Sequence, residues 1–263
     1  MDDHASLGDG TDYSKKRRLL DHLLQEIDPA WADLTLLMLC FLTGIVDSAV
    51  FKEWDCFVSM QTGNTIYVGL AAAGETLNRP YRWAKSGIAI LGFCLGVYCF
   101  SFVSRRLGEL KRSTICCSLG VQAIICIGAA IMVQTDVVPR GAGEMLPKNC
   151  IVLAPLSLLS FQSAGQIVIS RFLAYTEIPT LVLTNAYCDL FMDPMLFFAP
   201  ITQDVERNRR ALSAVTMLAG AALGAFLTRS GSTAIALWVV AAGKIVLVGV
   251  WLVWPGRTPI RLE

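Results

Sequence analysis

Six long apolar segments constrain this chain more than any other feature, because each is about as long as a lipid bilayer is thick. An α-helix rises about 1.5 Å per residue, so roughly 20 apolar residues cross a hydrocarbon core of about 30 Å. Lipid offers no partner for backbone N–H and C=O groups, so such segments must form helices that pack side by side. We therefore predict six spans, at residues 34–51, 87–103, 115–133, 151–169, 211–227 and 233–254.

The composition supports a membrane protein and excludes one class of partner. Hydrophobic residues make up 54% of the chain and charged residues 16%, whereas soluble domains carry about 25% charged residues. The net charge is only +1, and beyond an N-terminal cluster at 15–18 the basic residues other than Lys244 fall in short loops. The chain therefore has no electrostatic surface for nucleic acid, and its predicted partner is the lipid bilayer.

Two further apolar segments, at residues 61–74 and 180–200, are interrupted by polar residues or proline. Either each crosses the membrane, which gives eight spans, or each dips in and returns as a re-entrant helix, which leaves six. The first segment is short for a crossing helix, which favours the re-entrant arrangement. The predicted fold is thus all-α: a polytopic transmembrane helix bundle of six full spans plus two interrupted helices, or of eight spans.

The chain divides into a polar segment at 1–33, a transmembrane domain at 34–254 and a tail at 255–263. In both span arrangements 14 basic residues fall on one side of the membrane and 7 on the other, which places both termini in the cytosol. A helix on an anionic membrane surface, a helix packed on the protein and a frayed tail all fit the first segment. Its basic cluster is followed by an apolar helical stripe, which consists of Leu19, Leu20, Leu23, Leu24 and Ile27.

The two halves of the transmembrane domain, at about 34–134 and 150–254, contain the same parts in the same order. Each half has a long span, an interrupted segment, a span with two glycines four residues apart, and another long span. The glycine pairs, Gly92–Gly96 and Gly220–Gly224, have the spacing that lets helix backbones approach closely in lipid. We predict an internal two-fold repeat. Re-entrant segments would make the halves inverted, a plan common among secondary transporters.

A run of hydrogen-bonding residues opens the first interrupted segment: Gln61, Thr62, Gly63, Asn64 and Thr65. A helix that begins here inside the bilayer leaves backbone N–H groups unpaired, and these can hold an anion or a carboxylate. The glycine would let a ligand approach the backbone. The alternative is that these residues only cap a short helix. Aligning the two halves places Asn64 on Asn185, so Thr184 and Asn185 are the candidates in the second half.

Charged residues are few within the apolar segments, and the candidates among them are Asp47, Asp189 and Lys244. Each costs about 2.5–3.5 kcal/mol at the bilayer centre. We therefore predict that Lys244 faces Asp47 or Asp189, as a pair that carries a proton or breaks when a solute binds. Gln162 and Gln166 lie four residues apart on one helical face, as candidates for the solute site or for bonds between helices.

The chain resembles the YoaK-like family of uncharacterised multi-pass membrane proteins, a domain-of-unknown-function family (DUF1275). Three runs carry the resemblance, which are Gly44-Ile45-Val46-Asp47, Met60-Gln61-Thr62-Gly63-Asn64-Thr65 and Phe161-Gln162-Ser163-Ala164-Gly165-Gln166. It extends from about residue 33 to residue 254. The resemblance implies a helical fold and a membrane location, and it brings no established activity.

Together these patterns predict a transporter-like protein for a small polar or anionic solute, with a central site around residues 61–65 that is exposed alternately to the two sides. A passive channel and a non-transporting scaffold or sensor are the alternatives.

The sequence carries little that is typical of an enzyme. It has no histidine in the membrane part, no H-E-x-x-H, no G-x-S-x-G and no phosphate-binding loop. An aspartyl hydrolase built on Asp47 and Asp189 is the remaining enzymatic interpretation. No metal or cofactor is predicted, since no cysteine forms a C-x-x-C pair or neighbours a histidine.

Overall fold

A computed structural model describes residues 7–75, 81–139, 141–144, 146, 148–198, 200–230 and 232–257. Within those residues the chain is helical and forms no strand. The helices are α1 (Leu7–Leu24), α2 (Ala32–Trp54), α3 (Gln61–Ala72), α4 (Arg82–Leu107), α5 (Arg112–Gln134), α6 (Leu153–Phe172), α7 (Thr184–Phe191), α8 (Val205–Leu227) and α9 (Thr233–Val253).

Six of the helices in the described ranges are long and apolar enough to cross a membrane. They are 20–26 residues long, with mean hydropathies of 1.3–2.2 over their most apolar stretches. Large apolar side chains such as Leu91, Ile124 and Leu218 lie exposed on their outer surfaces. Exposing these side chains to water would be unfavourable, whereas exposing them to lipid is not. The prediction of a helical multi-pass membrane protein is therefore confirmed. The six helices are α2, α4, α5, α6, α8 and α9.

Contacts between helix ends define the two ends of the bundle. At one end Ile27, just before α2, donates its N–H to Leu110 between α4 and α5, and Asp28 donates to Pro255 after α9. We call this end the N-face. At the opposite end, the far face, Arg82 at the start of α4 donates to the Asp55 carbonyl just after α2.

The two short helices lie in connections that begin and end on one side of the bundle. Because α2 ends and α4 begins at the far face, the connection that contains α3 starts and finishes there. Asp33 at the start of α2 pairs with Arg209 near the start of α8, 2.9 Å apart. Tyr175, just after α6, donates to Pro29. The connection that contains α7 therefore starts and finishes at the N-face.

The closest helix contacts are made by glycines. A Cβ added to Gly220 of α8 would lie 2.0 Å from the Phe41 carbonyl of α2, and one added to Gly44 would lie 2.2 Å from the Met217 carbonyl of α8. On the other side of the bundle, a Cβ at Gly92 of α4 would lie 2.6 Å from the Ser157 carbonyl of α6. The glycine pairs of the sequence thus face the helices α2 and α6, backbone against backbone.

A buried arginine joins three elements at the N-face. The Arg112 side chain is fully buried at the start of α5. It donates to the carbonyls of His22 at the end of α1 and of Trp254 just after α9. Those carbonyls have no helical partner of their own, so a forked cation suits them. Before this junction, Leu19, Leu20 and Leu24 of the predicted apolar stripe lie exposed, as they would on a membrane surface.

Candidate functional site

A polar network joins four helices in the interior of the bundle. The Lys244 ammonium of α9 donates to the amide oxygens of Gln122 on α5, at 2.7 Å, and of Gln166 on α6, at 3.2 Å. The Gln166 amide nitrogen donates in turn to the Thr43 hydroxyl of α2, at 2.7 Å, and to the Leu39 carbonyl, at 3.2 Å. We call Lys244, Gln122, Gln166 and Thr43 the central network. All four are buried.

The central network lies near the middle of the membrane span. Thr43 is the midpoint of α2, and Gln122 and Lys244 lie one residue from the midpoints of α5 and α9. Gln166 lies about one turn past the midpoint of α6. The network therefore lies far from both ends of the bundle.

The ion pair expected between Lys244 and Asp47 or Asp189 does not form, and that prediction is wrong. Within the described part of the chain the ammonium takes part in no salt bridge, and both acceptors given above are neutral amides. Asp47 is buried nearer the far face, whereas Asp189 is exposed on α7 at the N-face. The two aspartates are therefore too far apart to act as a catalytic dyad, whose carboxylates must nearly touch.

Asp47 binds the backbone instead of a cation. Its Oδ1 accepts the N–H groups of Val58 and Ser59, at 2.9 and 3.1 Å, and its Oδ2 accepts the Ser59 hydroxyl. Three donors compensate the cost of burying a carboxylate. The aspartate therefore fixes the turn that leads into α3.

The polar run at the start of α3 is largely consumed by that same turn. Asn64 is fully buried, and its amide nitrogen donates to the Phe57 carbonyl at 2.7 Å and to the Gln61 side chain at 2.9 Å. Its amide oxygen accepts the Phe57 N–H at 3.3 Å. Gln61 also donates to the Val58 carbonyl at 3.0 Å. These bonds hold the turn in place and leave little of Asn64 or Gln61 for a solute.

The other residues of the run do not face an internal site. Thr62 and Thr65 are exposed, and Thr65 donates to the Gln61 carbonyl one turn back. A Cβ at Gly63 would lie 3.2 Å from the Phe57 ring, so the glycine makes room for a side chain.

The candidates in the second half lie elsewhere. Thr184 and Asn185 are exposed on α7, and Asn185 and Asp189 line a cavity of about 200 Å³ with Arg171 and Tyr175 at the N-face end of α6. Burial and the nearby Asp33 carboxylate raise the pKa of Tyr175. The two interrupted segments therefore do not bring Asn64 and Asn185 into one shared cavity, as the aligned halves led us to expect.

Both glutamines of α6 face the interior, but they differ in their bonding. Gln166 belongs to the central network. Gln162, one turn earlier, is also buried, yet its side-chain oxygen has no hydrogen-bond partner among the described residues. A buried unpaired amide oxygen costs about 1–3 kcal/mol, so Gln162 remains open to a ligand or to water.

One protein family matches the chain from residue 35 to residue 250, that is, from the first turn of α2 nearly to the end of α9. The chain belongs to the family described as Protein of unknown function (DUF1275). This confirms the resemblance found in the sequence. No curated protein and no solved structure matches the chain. The part that matches DUF1275 contains the whole central network and Asp47, and it leaves α1 outside.

Sequence reasoning missed two features of this DUF1275 site. Thr43 was not singled out, although a hydroxyl at the midpoint of an apolar span is a signal of an interior contact. Gln122 likewise places a hydrogen-bonding side chain near the midpoint of an apolar span, but nothing in its spacing identifies Lys244 as its partner. The described residues of the DUF1275 protein contain no group of three or more histidine, cysteine, aspartate or glutamate side chains that could hold a metal ion.

Proposed function

We propose that this protein is a membrane carrier for a small anionic solute, with the central network as its binding site. One observation carries the proposal: the Lys244 ammonium lies at mid-depth in the bundle and is bonded to two neutral amides. Two amide oxygens accept two of its three N–H groups but do not compensate its charge. A buried charge without a counter-ion costs several kcal/mol, and an anionic solute would supply that counter-ion.

The helix packing supports an inverted repeat with the network at its centre. In a repeat, α2, α3, α4 and α5 correspond to α6, α7, α8 and α9. If each helix is exchanged for its counterpart, the packed pair α2–α8 becomes α6–α4, and the pair α2–α9 becomes α6–α5. The pair α5–α9 stays the same. All of these pairs are packed together. Gln122 and Lys244 are bonded across the α5–α9 pair, near the midpoints of two helices that would then be counterparts. A solute site between repeats near the midplane is the plan of many secondary transporters.

Two turns support re-entrant segments that enter from opposite faces. The Val58 carbonyl, just before α3, accepts the hydroxyl of Ser163, which lies at the middle of α6. In the second half the backbone of Thr180, just before α7, lies against the thiol of Cys40, about one turn from the middle of α2. Each connection thus reaches deep into the bundle before its short helix leads back to the face where it began.

We further propose that the N-face is cytosolic and that the solute site opens alternately to the two faces. The predicted excess of basic residues on the side of the termini supports this orientation. The protein would bind and move its solute without converting it, and Lys244 would lose its anionic partner on one face and gain it on the other.

Uptake into liposomes tests the proposal. Purified protein is reconstituted, and a panel of small anions is offered with and without an ion gradient. We expect saturable uptake of at least one anion, abolished in Lys244→Met and retained in Lys148→Met, which removes an exposed lysine from the α5–α6 connection.

Other outcomes would contradict the proposal. Uptake that survives Lys244→Met would exclude the central network as the site. Flux that does not saturate would indicate a passive channel, and no flux from folded protein would favour a non-transporting scaffold or sensor.

A further inference from the structure

An apolar cavity of about 200 Å³ lies between α4, α5 and α6, on the N-face side of the central network. Its walls include Phe100, Val103, Val121 and Phe161. Val103 and Val121 are 47% and 39% exposed, so the cavity is open to the outer surface of the bundle. Its volume exceeds that of an enclosed engineered cavity of about 150 Å³ that binds benzene, so it is large enough for one small alkyl or aryl group.

A line of polar side chains on α5 connects this cavity to the central network. Thr114, Ser118 and Gln122 recur every four residues, so they lie on one helical face. Thr114 and Ser118 line the cavity. The Gln122 amide nitrogen donates to the Ser118 hydroxyl at 3.2 Å, while its oxygen accepts the Lys244 ammonium at 2.7 Å. Two hydrogen bonds therefore lead from the cavity wall to the buried charge.

The Thr114 hydroxyl is a polar group without a partner in that wall. The residue is 4% exposed, and its oxygen has no hydrogen bond among the described residues. A buried hydroxyl in this state favours a ligand or a water molecule that can bond to it.

An aromatic ring of the cavity wall, that of Phe100, lies beside an amide of the central network, that of Gln122. The rings of Phe100 and Phe161 lie 5.2 Å apart. A Cβ at Gly165 would lie 2.8 Å from the Gln122 amide nitrogen and 2.9 Å from the Phe100 ring. Gly165 thus leaves room against α6 for the Phe100 ring and the Gln122 amide. A change in the rotamers of these two side chains would connect the cavity with the Lys244 ammonium.

We propose that the cavity and Lys244 form one bipartite site for carboxylates that carry a small alkyl or aryl group, with benzoate as the simplest probe. The apolar group lies in the cavity, and the carboxylate displaces the Gln122 oxygen from Lys244. This inference rests on the proposed function and names the class of anion. A carboxylate without the apolar group gains nothing from the cavity, and an uncharged aromatic compound has no counter-ion to meet.

The test measures thermal unfolding of the full-length protein in lipid nanodiscs with benzoate, acetate or benzamide. A ligand at ten times its Kd is expected to raise the unfolding midpoint by about 3–6 °C. We expect this rise with benzoate and less than a third of it with acetate or benzamide at the same concentration.

Two variants locate the ligand. Val121→Phe fills the cavity and should abolish the benzoate shift, as should Lys244→Met. As a control, Ile124→Phe introduces a phenylalanine on the same helix, at a site that is 68% exposed and outside the cavity lining. This variant should retain the benzoate shift.

Each other result contradicts the inference in its own way. Equal shifts with acetate and benzoate that require Lys244 but survive Val121→Phe would overturn the role of the cavity and leave the carrier proposal standing. Equal shifts with benzamide and benzoate that survive Lys244→Met would mean that the cavity holds neutral aromatic or lipid groups. No shift with any anion, from protein that unfolds cooperatively, would count against both proposals.

Discussion

Two buried charges in this molecule are stabilised by different partners. Asp47 accepts two backbone N–H groups and a hydroxyl from the turn before α3, while Lys244 donates to two side-chain amides. The aspartate is thus fully engaged in holding the chain in place. The lysine has no carboxylate partner among the described residues, which makes it the residue where an anionic solute would matter most.

Replacing Asp47 should destabilise the protein without requiring any solute. In Asp47→Ala the N–H groups of Val58 and Ser59 lose their acceptor, at a cost of about 1–3 kcal/mol for each buried donor. We expect a lower midpoint of thermal unfolding in detergent, whereas the exposed Asp189→Ala should unfold like the parent. Equal midpoints for the two variants would show that water replaces the carboxylate.

Cys56 should resist alkylation over a wide pH range. It is fully buried in the connection after α2, and burial raises its pKa from the ordinary 9.0 to about 12. Its thiolate fraction near pH 8 is therefore about a thousandfold below that of an unshifted thiol. Mass spectrometry after maleimide treatment from pH 7 to pH 9 should find the exposed Cys188 modified, faster at higher pH, and Cys56 unmodified until denaturant is added. Comparable labelling of both cysteines would contradict this burial.

At this scale the sequence identifies the important charges but not their partners. Lys244 and Asp47 stand out because a charge in an apolar run is costly. Their partners depend on how helices rotate about their axes, and spacing along the chain does not determine rotation. Gln122 lies 122 residues from Lys244, and only the packing of α5 on α9 brings them together.

At the scale of helices, close backbone contact explains why glycines line two of the interfaces. Gly92 of α4 faces the backbone of Ser157, whereas Gly87 of the same helix has nothing within 4 Å of an added Cβ. The two positions therefore separate the packing role of glycine from its poor helix propensity.

An alanine at each of these positions should have opposite effects. Gly92→Ala should destabilise the protein by about 1–3 kcal/mol through overpacking against α6. Gly87→Ala should be neutral or stabilising by up to about 1 kcal/mol, because alanine favours the helix. Unfolding midpoints in detergent would measure both, and similar values for the two variants would argue against a tight α4–α6 contact.

The long helices follow from the sequence more closely than the interrupted segments do. Hydropathy locates all six spans, but α4 begins at Arg82 and not at residue 87. The Arg82 side chain donates to the Asp55 carbonyl and the Lys85 side chain donates to the Gly143 carbonyl, so the first turn of the helix accommodates both cations. Among the described residues of the second interrupted segment, 180–198 and 200, only Thr184–Phe191 is helical. Polar residues in such segments fit a cap and a ligand site equally well until their neighbours are known.

On the scale of the whole molecule, residues on the two faces of the bundle should differ in their access to a membrane-impermeant reagent. Glu109 is exposed in the α4–α5 connection on the N-face, and Lys148 is exposed in the α5–α6 connection on the far face. A cysteine at either position would therefore report which side of the membrane its face occupies.

With native cysteines removed, Lys148→Cys should react with a membrane-impermeant maleimide in intact cells. Glu109→Cys should react only after the cells are opened. The reverse pattern would place the N-face outside and would overturn the proposed cytosolic termini.

The packing of α2 against α8 also has a consequence for the biosynthesis of the protein. α2 packs against α8, although Trp54 and Val205 are separated by about 150 residues. At about 5–20 residues per second, a ribosome needs roughly 8–30 s to synthesise the intervening chain. During that time the surface of α2 around Gly44 lies in the translocon or in lipid without α8 packed against it. Nascent chains that terminate before α8 should therefore be recognised and degraded by membrane quality control.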